Sequence, residues 1–253
     1  MTPRSVATWC RSSPTKHAAT AGRTTLQGEG LQHCDGHSLA WASVMPHCRA
    51  YDPAFAYEVA VIIREGMRRM HGPDPEDVFY YVTLYNETYP MPAQPDGAEH
   101  GILRGLYRYR PALAERTYHV QIFASGTAMQ AALEAQRVLA DEHDVAADVW
   151  SATSYQQLRN DALSVERWNR LHPTERPRRP FIADVLDGVD GPVVAVTDFV
   201  KAVPDEIARW VPQPFVPLGT DGFGLSDARG PLRRYFEVDA AHIDPDARDP
   251  RDA

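Results

Sequence analysis

Between Val120 and Leu218 the chain alternates between short apolar runs and longer stretches of helical spacing. Val120–Ala124, Ala147–Ser151, Pro192–Thr197 and Phe215–Leu218 are rich in Val, Phe, Trp and Ala. Runs of that length with no polar face suit strands covered on both sides, as in parallel sheets. Ala128–Leu139, Ser154–Leu171 and Asp198–Trp210 read as helices, the second open to a break at Asn160–Asp161 and the third disturbed by Pro204. Strand–helix alternation of this kind predicts an α/β fold with a mostly parallel sheet.

The N-terminal third is organised differently. Residues 22–50 read as loop, with Gly22, Gly28, Gly30 and Gly36. Asp52-Pro53 then suits the start of a helix, Asp52 as its cap. That helix would bury Phe55, Val59, Ile62, Ile63, Met67 and Met70 and stop near Gly72-Pro73. Val78–Leu84 is a strand by its β-branched and aromatic content. Pro90, Pro92, Pro95 and Pro111 mark residues 91–117 as a linker with one ordered piece around Ile102–Tyr109. The polar tail 243–253 is expected to be solvated. The first 21 residues carry no acid and are rich in Ser, Thr and Arg, a composition shared by transit peptides and by unstructured starts.

Twenty-six basic against 34 acidic residues give a net charge of −8, which argues against nonspecific nucleic-acid or anionic-membrane binding. No apolar run approaches the roughly 18 residues of a membrane-spanning helix. Three cysteines, Cys10, Cys34 and Cys48, are too few for a disulfide framework and point to a reducing cytoplasm.

Chemistry-bearing residues concentrate in two loops. Gln32-His33-Cys34-Asp35-Gly36-His37 places two imidazoles, a thiol and a carboxylate within a few residues. Its spacing matches no closed zinc pattern. It fits a glycine-rich surface loop or a histidine that donates to an anionic substrate or intermediate, and, with less support from spacing, a metal site or a catalytic Cys34. Gly219–Asp227 is a tight polar loop in which Asp221 and Asp227 suit turn chemistry better than cation binding. Ser125-Gly126-Thr127, between a strand and a helix, suits close packing better than anion binding. The dinucleotide fingerprint, the P-loop and the G-x-S-x-G elbow are all absent.

Six segments, in order, resemble one family: GRTTLQGEGLQHCDGHS (Gly22–Ser38), AYDPAFAYEVAVIIREGMRRM (Ala50–Met70), FYYVTLYNETYPMPAQPDG (Phe79–Gly97), QIFASGTAM (Gln121–Met129), AADVWSATSYQQLRNDA (Ala146–Ala162) and LGTDGFGLSDAR (Leu218–Arg229). They are similar to the homodimeric bacterial type of pyruvate dehydrogenase E1 component, a transketolase-like family. The resemblance implies that residues 22–90 form the last part of a pyrimidine-binding domain and residues 118–242 a C-terminal α/β domain. It implies an oxidoreductase using thiamine diphosphate and Mg²⁺, which decarboxylates pyruvate and passes the acetyl group to lipoyl-E2. The family's Gly-Asp-Gly…Asn grip on diphosphate and metal has no counterpart here, and its cofactor-activating glutamate lies upstream of Gly22. Glu29 and Glu58 sit in other motifs. By this resemblance His33 is the catalytic position facing the substrate-derived adduct, and His37 approaches the same site. Cys34 replaces a usually acidic residue. Asn86 and Glu87 are scaffold, and Asp221 and Ser226 lie at a dimer contact or channel mouth.

The chain thus resembles the end of a longer enzyme, with a further deletion after Phe236–Ile243. Three expectations follow: a fragment inactive alone, a split subunit completed by a separate N-terminal chain or a homodimer partner, or a non-enzymatic interaction module.

Overall fold

The computed structural model describes residues 24–25 and 36–243. Its first unit comprises α1 (Ser38–Ser43), β1 (Cys48–Tyr51), α2 (Ala56–His71) and β2 (Phe79–Val82), with β1 and β2 paired in parallel. The second unit is a five-stranded sheet in the order β3-β5-β4-β6-β7, with β3 (Tyr107–Arg110), β4 (Tyr118–Ala124), β5 (Val145–Ser151), β6 (Val193–Val196) and β7 (Phe215–Leu218). All its pairings are parallel except that of β3 with β5. The connecting helices are α3 (Ala98–Arg104), α4 (Ala128–Glu142), α5 (Tyr155–Leu171), α6 (Phe181–Val185) and α7 (Ala202–Asp205), with a 3-10 turn at Ala208–Trp210. α8 (Arg229–Tyr235) and α9 (Ala240–Ile243) follow the sheet.

Period-two alternation sends neighbouring strand residues to opposite faces. Val120, Ile122, Ala124, Val194 and Val196 join α4 and α9 on one side. Phe123, Trp150, Val193 and Ala195 join α5, α6 and α7 on the other. α1 and β1 belong to this second core through Leu39, Ala42, Cys48 and Ala50. Gln156 of α5 fastens them there: its amide oxygen accepts from Ala50 N–H at 2.8 Å and its amide nitrogen donates to Ala42 carbonyl at 2.8 Å.

Several expectations need correction. Residues 22–50 are not all loop, because α1 and β1 form within them. Both are too short to show periodicity and exist through tertiary contact. The ordered piece between 91 and 117 is larger than expected and is no spacer. α3 and β3 pack with α2, β1 and β2 in a third core of Tyr51, Ile62, Tyr80, Ile102 and Tyr107, while β3 closes one edge of the large sheet.

α2 starts at Ala56 rather than beside Asp52. Asp52 turns inward, and Glu58 caps the helix by accepting from Ala54 N–H at 2.6 Å and Phe55 N–H at 3.0 Å. Its buried face is Val61, Ile62 and Met70, so Ile63 and Met67, expected inside, stand 39% and 46% exposed. α5 runs unbroken through Asn160–Asp161, because Asp161 spends its carboxylate outward on Arg104 and on Phe181 N–H. The expected Asp198–Trp210 helix is two short pieces: the single turn of α7, which contains Pro204, and the 3-10 turn at Ala208–Trp210.

Candidate active site at the junction of the two units

In open parallel sheets, ligand sites lie beyond the carboxyl ends of the strands. Here those ends meet. Asp52, just past β1, donates its N–H to Thr153 carbonyl at 2.8 Å, and its own carbonyl accepts from Gly126 N–H at 3.1 Å. Gly126 has φ of 51°, and a Cβ there would lie 2.3 Å from the Tyr85 hydroxyl oxygen. The Asp52 carboxylate is buried; Thr83 and Tyr85 hydroxyls both donate to Oδ1, while Oδ2 is buried with no partner among the described residues. Burial raises its pKa against these hydrogen bonds.

Thr24 and Thr25 reach this junction from the N-terminal side. Thr24 donates from N–H at 3.0 Å and from its hydroxyl at 2.8 Å to Asp198 Oδ1. Thr25 hydroxyl donates to Oδ2 at 2.9 Å and lies 3.1 Å from that of Thr127. Asp198 follows β6, and burial pushes its pKa up to about 6 although these donors oppose the shift. Arg229 and Arg233 of α8 complete the contact: Arg229 donates to Thr25 carbonyl at 2.8 Å, and Arg233 pairs with Glu87 at 2.5 Å. Glu87 thus holds the ends of both units together.

The Ser125-Gly126-Thr127 segment is spent on interior bonds, Ser125 hydroxyl donating to Thr197 Oγ1 at 2.9 Å. The Gly219–Asp227 loop is held at its start by the segment that follows β6, and at its end by a local turn. Asp221 accepts from Lys201 N–H at 3.0 Å and pairs with its ammonium at 3.2 Å, while Asp227 accepts from Ala228 N–H at 2.6 Å. Among the described residues, no group of three or more His, Cys, Asp or Glu can hold a metal ion.

The two loops singled out in the sequence meet. Val200 N–H donates to Gly36 carbonyl at 3.2 Å. The His37 ring lies 5.6 Å from that of Phe223, edge-on, and stacks at 6.3 Å on Trp41. Phe223 and Trp41 are 61% and 65% exposed, so two exposed aromatic rings flank His37. His33, Cys34 and Asp35 lie outside the described residues, as does the tail beyond Ile243. Cys48 is unpaired and buried, its pKa pushed up to about 11 by desolvation, which keeps it an unreactive thiol.

Glu58 escaped sequence reasoning. It is fully buried, and beyond its capping role it accepts from Tyr107 and Ser151 hydroxyls, each at 2.6 Å. One carboxylate therefore joins α2 to β3 and β5. Burial raises its pKa while the four donors oppose the shift. Its position three residues beyond the cap was the available signal.

No helix among the described residues is long and apolar enough to cross a membrane. The described groups also offer no metal grip, so they do not fit the diphosphate–Mg²⁺ end of thiamine diphosphate.

Comparison with known proteins accounts for this layout. Residues 11–92 match the model of the pyruvate dehydrogenase E1 component middle domain, starting ahead of Gly22, where the resemblance in the sequence begins. Residues 105–239 match the transketolase-like C-terminal domain. The chain is 53% identical over 226 residues to the pyruvate dehydrogenase E1 component of Mycolicibacterium smegmatis, covering 89% of this chain and 24% of that protein. It is 48% identical over 225 residues to that of Escherichia coli, covering 88% and 25%. It spans about a quarter of the length of these relatives. Among solved structures, a Pichia stipitis transketolase complex with sedoheptulose 7-phosphate superposes with a TM-score of 0.61 at 16% identity, over 90% of this chain and 28% of that one. A split gene transketolase, described as an inactive beta4 tetramer, gives 0.57 at 18% identity, over 86% and 62%. These structures share the α/β fold, with a mostly parallel sheet flanked by helices. The middle-domain and C-terminal-domain matches, in order and together spanning most of the residues, place the chain in the pyruvate dehydrogenase E1 component family.

Proposed function

We propose that these 253 residues supply the substrate-side wall of a thiamine diphosphate-dependent pyruvate dehydrogenase E1, and that the grip on diphosphate and Mg²⁺ lies outside them. The observation that carries this reading is the convergence of the His37 loop and the Gly219–Asp227 loop beyond the carboxyl ends of the strands. The coenzyme would supply the electron sink for decarboxylation. The part taken by this chain is to present imidazole N–H groups from His33 and His37 to an anionic 2-oxo acid such as pyruvate, and to exclude water with Trp41 and Phe223. Acetyl transfer to lipoyl-E2 belongs to the same reading, as does the reducing cytoplasm, with which the unpaired Cys48 agrees.

In this reading the chain is inactive alone and completed by a separate N-terminal chain. Exposed Ile63 and Met67, one turn apart on α2, support such a partner, as does the likeness to a transketolase whose gene is split and whose beta4 tetramer is inactive. A homodimer of this chain alone would leave the diphosphate end unbuilt.

The test mixes the chain with the preceding portion of the Mycolicibacterium smegmatis relative and measures pyruvate decarboxylation. His33→Ala and His37→Ala should each lower kcat/KM for pyruvate by about 100-fold in the complemented enzyme. Unchanged kinetics in both variants would remove the two histidines from the site.

A further inference from the structure

Away from the strand ends described above, α1, β1, α2, α3 and α5 enclose a groove of about 840 Å³. That volume lies in the range of small-molecule sites, and the groove sits where the two units join, a common place for them. Its lining is charged in one sense. Arg49, Arg69, Arg104, Arg159 and Arg167 face it, with Asp161 as the one carboxylate of the lining. In a chain of net charge −8, five guanidinium groups in one groove are a local inversion of sign.

Not all of them are engaged. Arg69 pairs with Glu76, and Arg104 with Asp161 at 2.7 Å. Arg49 donates to the carbonyls of Pro46 at 2.9 Å and Cys48 at 3.1 Å. Among the described residues, neither Arg49, Arg159 nor Arg167 is in an ion pair. Arg159 acts on half-buried Glu206 through its charge alone, without an ion pair between them. The groove therefore keeps a net positive charge and unspent N–H donors. Guanidinium forks of this kind match phosphate oxygens. Val44, Met45 and Leu163 add an apolar shelf beside the arginines, with Val44 73% exposed.

We propose that this groove binds a small metabolite carrying two or more phosphate groups, and that the bound anion clamps the first unit against α5. The groove is separate from the His37 region, so the proposal stands whether or not the reading of that site holds. ATP without added metal is the probe, titrated calorimetrically into the full chain. Thiamine diphosphate is left out because its own diphosphate would compete.

Saturable binding is expected, weakening on addition of salt as for any charge-driven contact. The double variant R159Q/R167Q should weaken it by at least about tenfold. Arg137→Gln, an exposed α4 arginine outside the groove, should leave it unchanged. Equal unfolding midpoints would show that the variants fold alike. Absence of saturable binding would overturn the proposal, as would binding unaffected by R159Q/R167Q. Binding of a poly-glutamate peptide in place of ATP would overturn it too, by making the groove a protein-docking surface.

Discussion

Replacing Glu58 by alanine should destabilise the chain more than any other single truncation at the unit junction. The side chain is fully buried and accepts from four donors: Ala54 N–H, Phe55 N–H, and the hydroxyls of Tyr107 and Ser151. Each donor stranded away from water costs about 1–3 kcal/mol. A water entering the space left behind would satisfy some of them, so the net loss is set at ~3–5 kcal/mol. Against a total stability of about 5–15 kcal/mol, that is a large share. For a chain of this size it lowers Tm by roughly 10 °C. Ser151→Ala removes one donor and leaves the carboxylate three, so it should cost only about 1 kcal/mol. Urea unfolding followed by circular dichroism gives both values. Hydrogen exchange at α2 and β3 would show whether the loss opens the junction. A Glu58→Ala cost below about 1 kcal/mol, or one no larger than that of Ser151→Ala, would refute the clasp.

Other perturbations test neighbouring parts of the account. The Asp198 carboxyl, raised by burial from 3.8 to about 6, binds its proton more tightly folded than unfolded, so its contribution to stability falls as pH rises from about 4 to about 6. That loss amounts to roughly 3 kcal/mol, and Asp198→Asn should flatten the pH profile of unfolding; an unchanged profile would assign the dependence elsewhere. Gly126→Ala forces a Cβ into the Tyr85 hydroxyl at a positive φ and should cost about 2–4 kcal/mol in thermal unfolding, whereas a neutral result would mean that Tyr85 can withdraw from Asp52. Ile63→Glu with Met67→Glu should change the stability of the chain by no more than about 0.5 kcal/mol yet abolish complementation by the N-terminal chain, measured by co-purification. A large loss of stability there would place these side chains inside the fold.

The middle of the large sheet was legible because its strands are apolar and mostly buried on both faces. A continuous apolar run such as Val193–Val196 can be read without knowing its neighbours, and Phe215–Leu218 coincides with β7. Elements made by tertiary contact were not legible. β1 is four residues long and exists because β2 and Gln156 satisfy its backbone. β3 lies in a proline-rich stretch and is defined by its pairing with β5. Asp52 had a cap residue's chemistry, yet Thr83 and Tyr85, more than thirty positions away, recruit its carboxylate inward. At the candidate site, the sequence singled out both loops but could not show that they touch. The contact between His37 and Phe223 joins residues far apart in the chain. The wider role of Glu58 was not legible, because nothing near it in the chain names Tyr107 or Ser151 as partners. Ile63 and Met67 mark the limit of periodicity: helical spacing identifies an apolar stripe, not what covers it.

The central claim is that this chain holds the substrate wall and not the diphosphate and metal grip. Carbon dioxide release from pyruvate, with thiamine diphosphate and Mg²⁺ present, tests it most directly. The account predicts release at the non-enzymatic background for the chain alone and enzymatic release once the N-terminal portion of a relative is added. Turnover by the chain alone would contradict it.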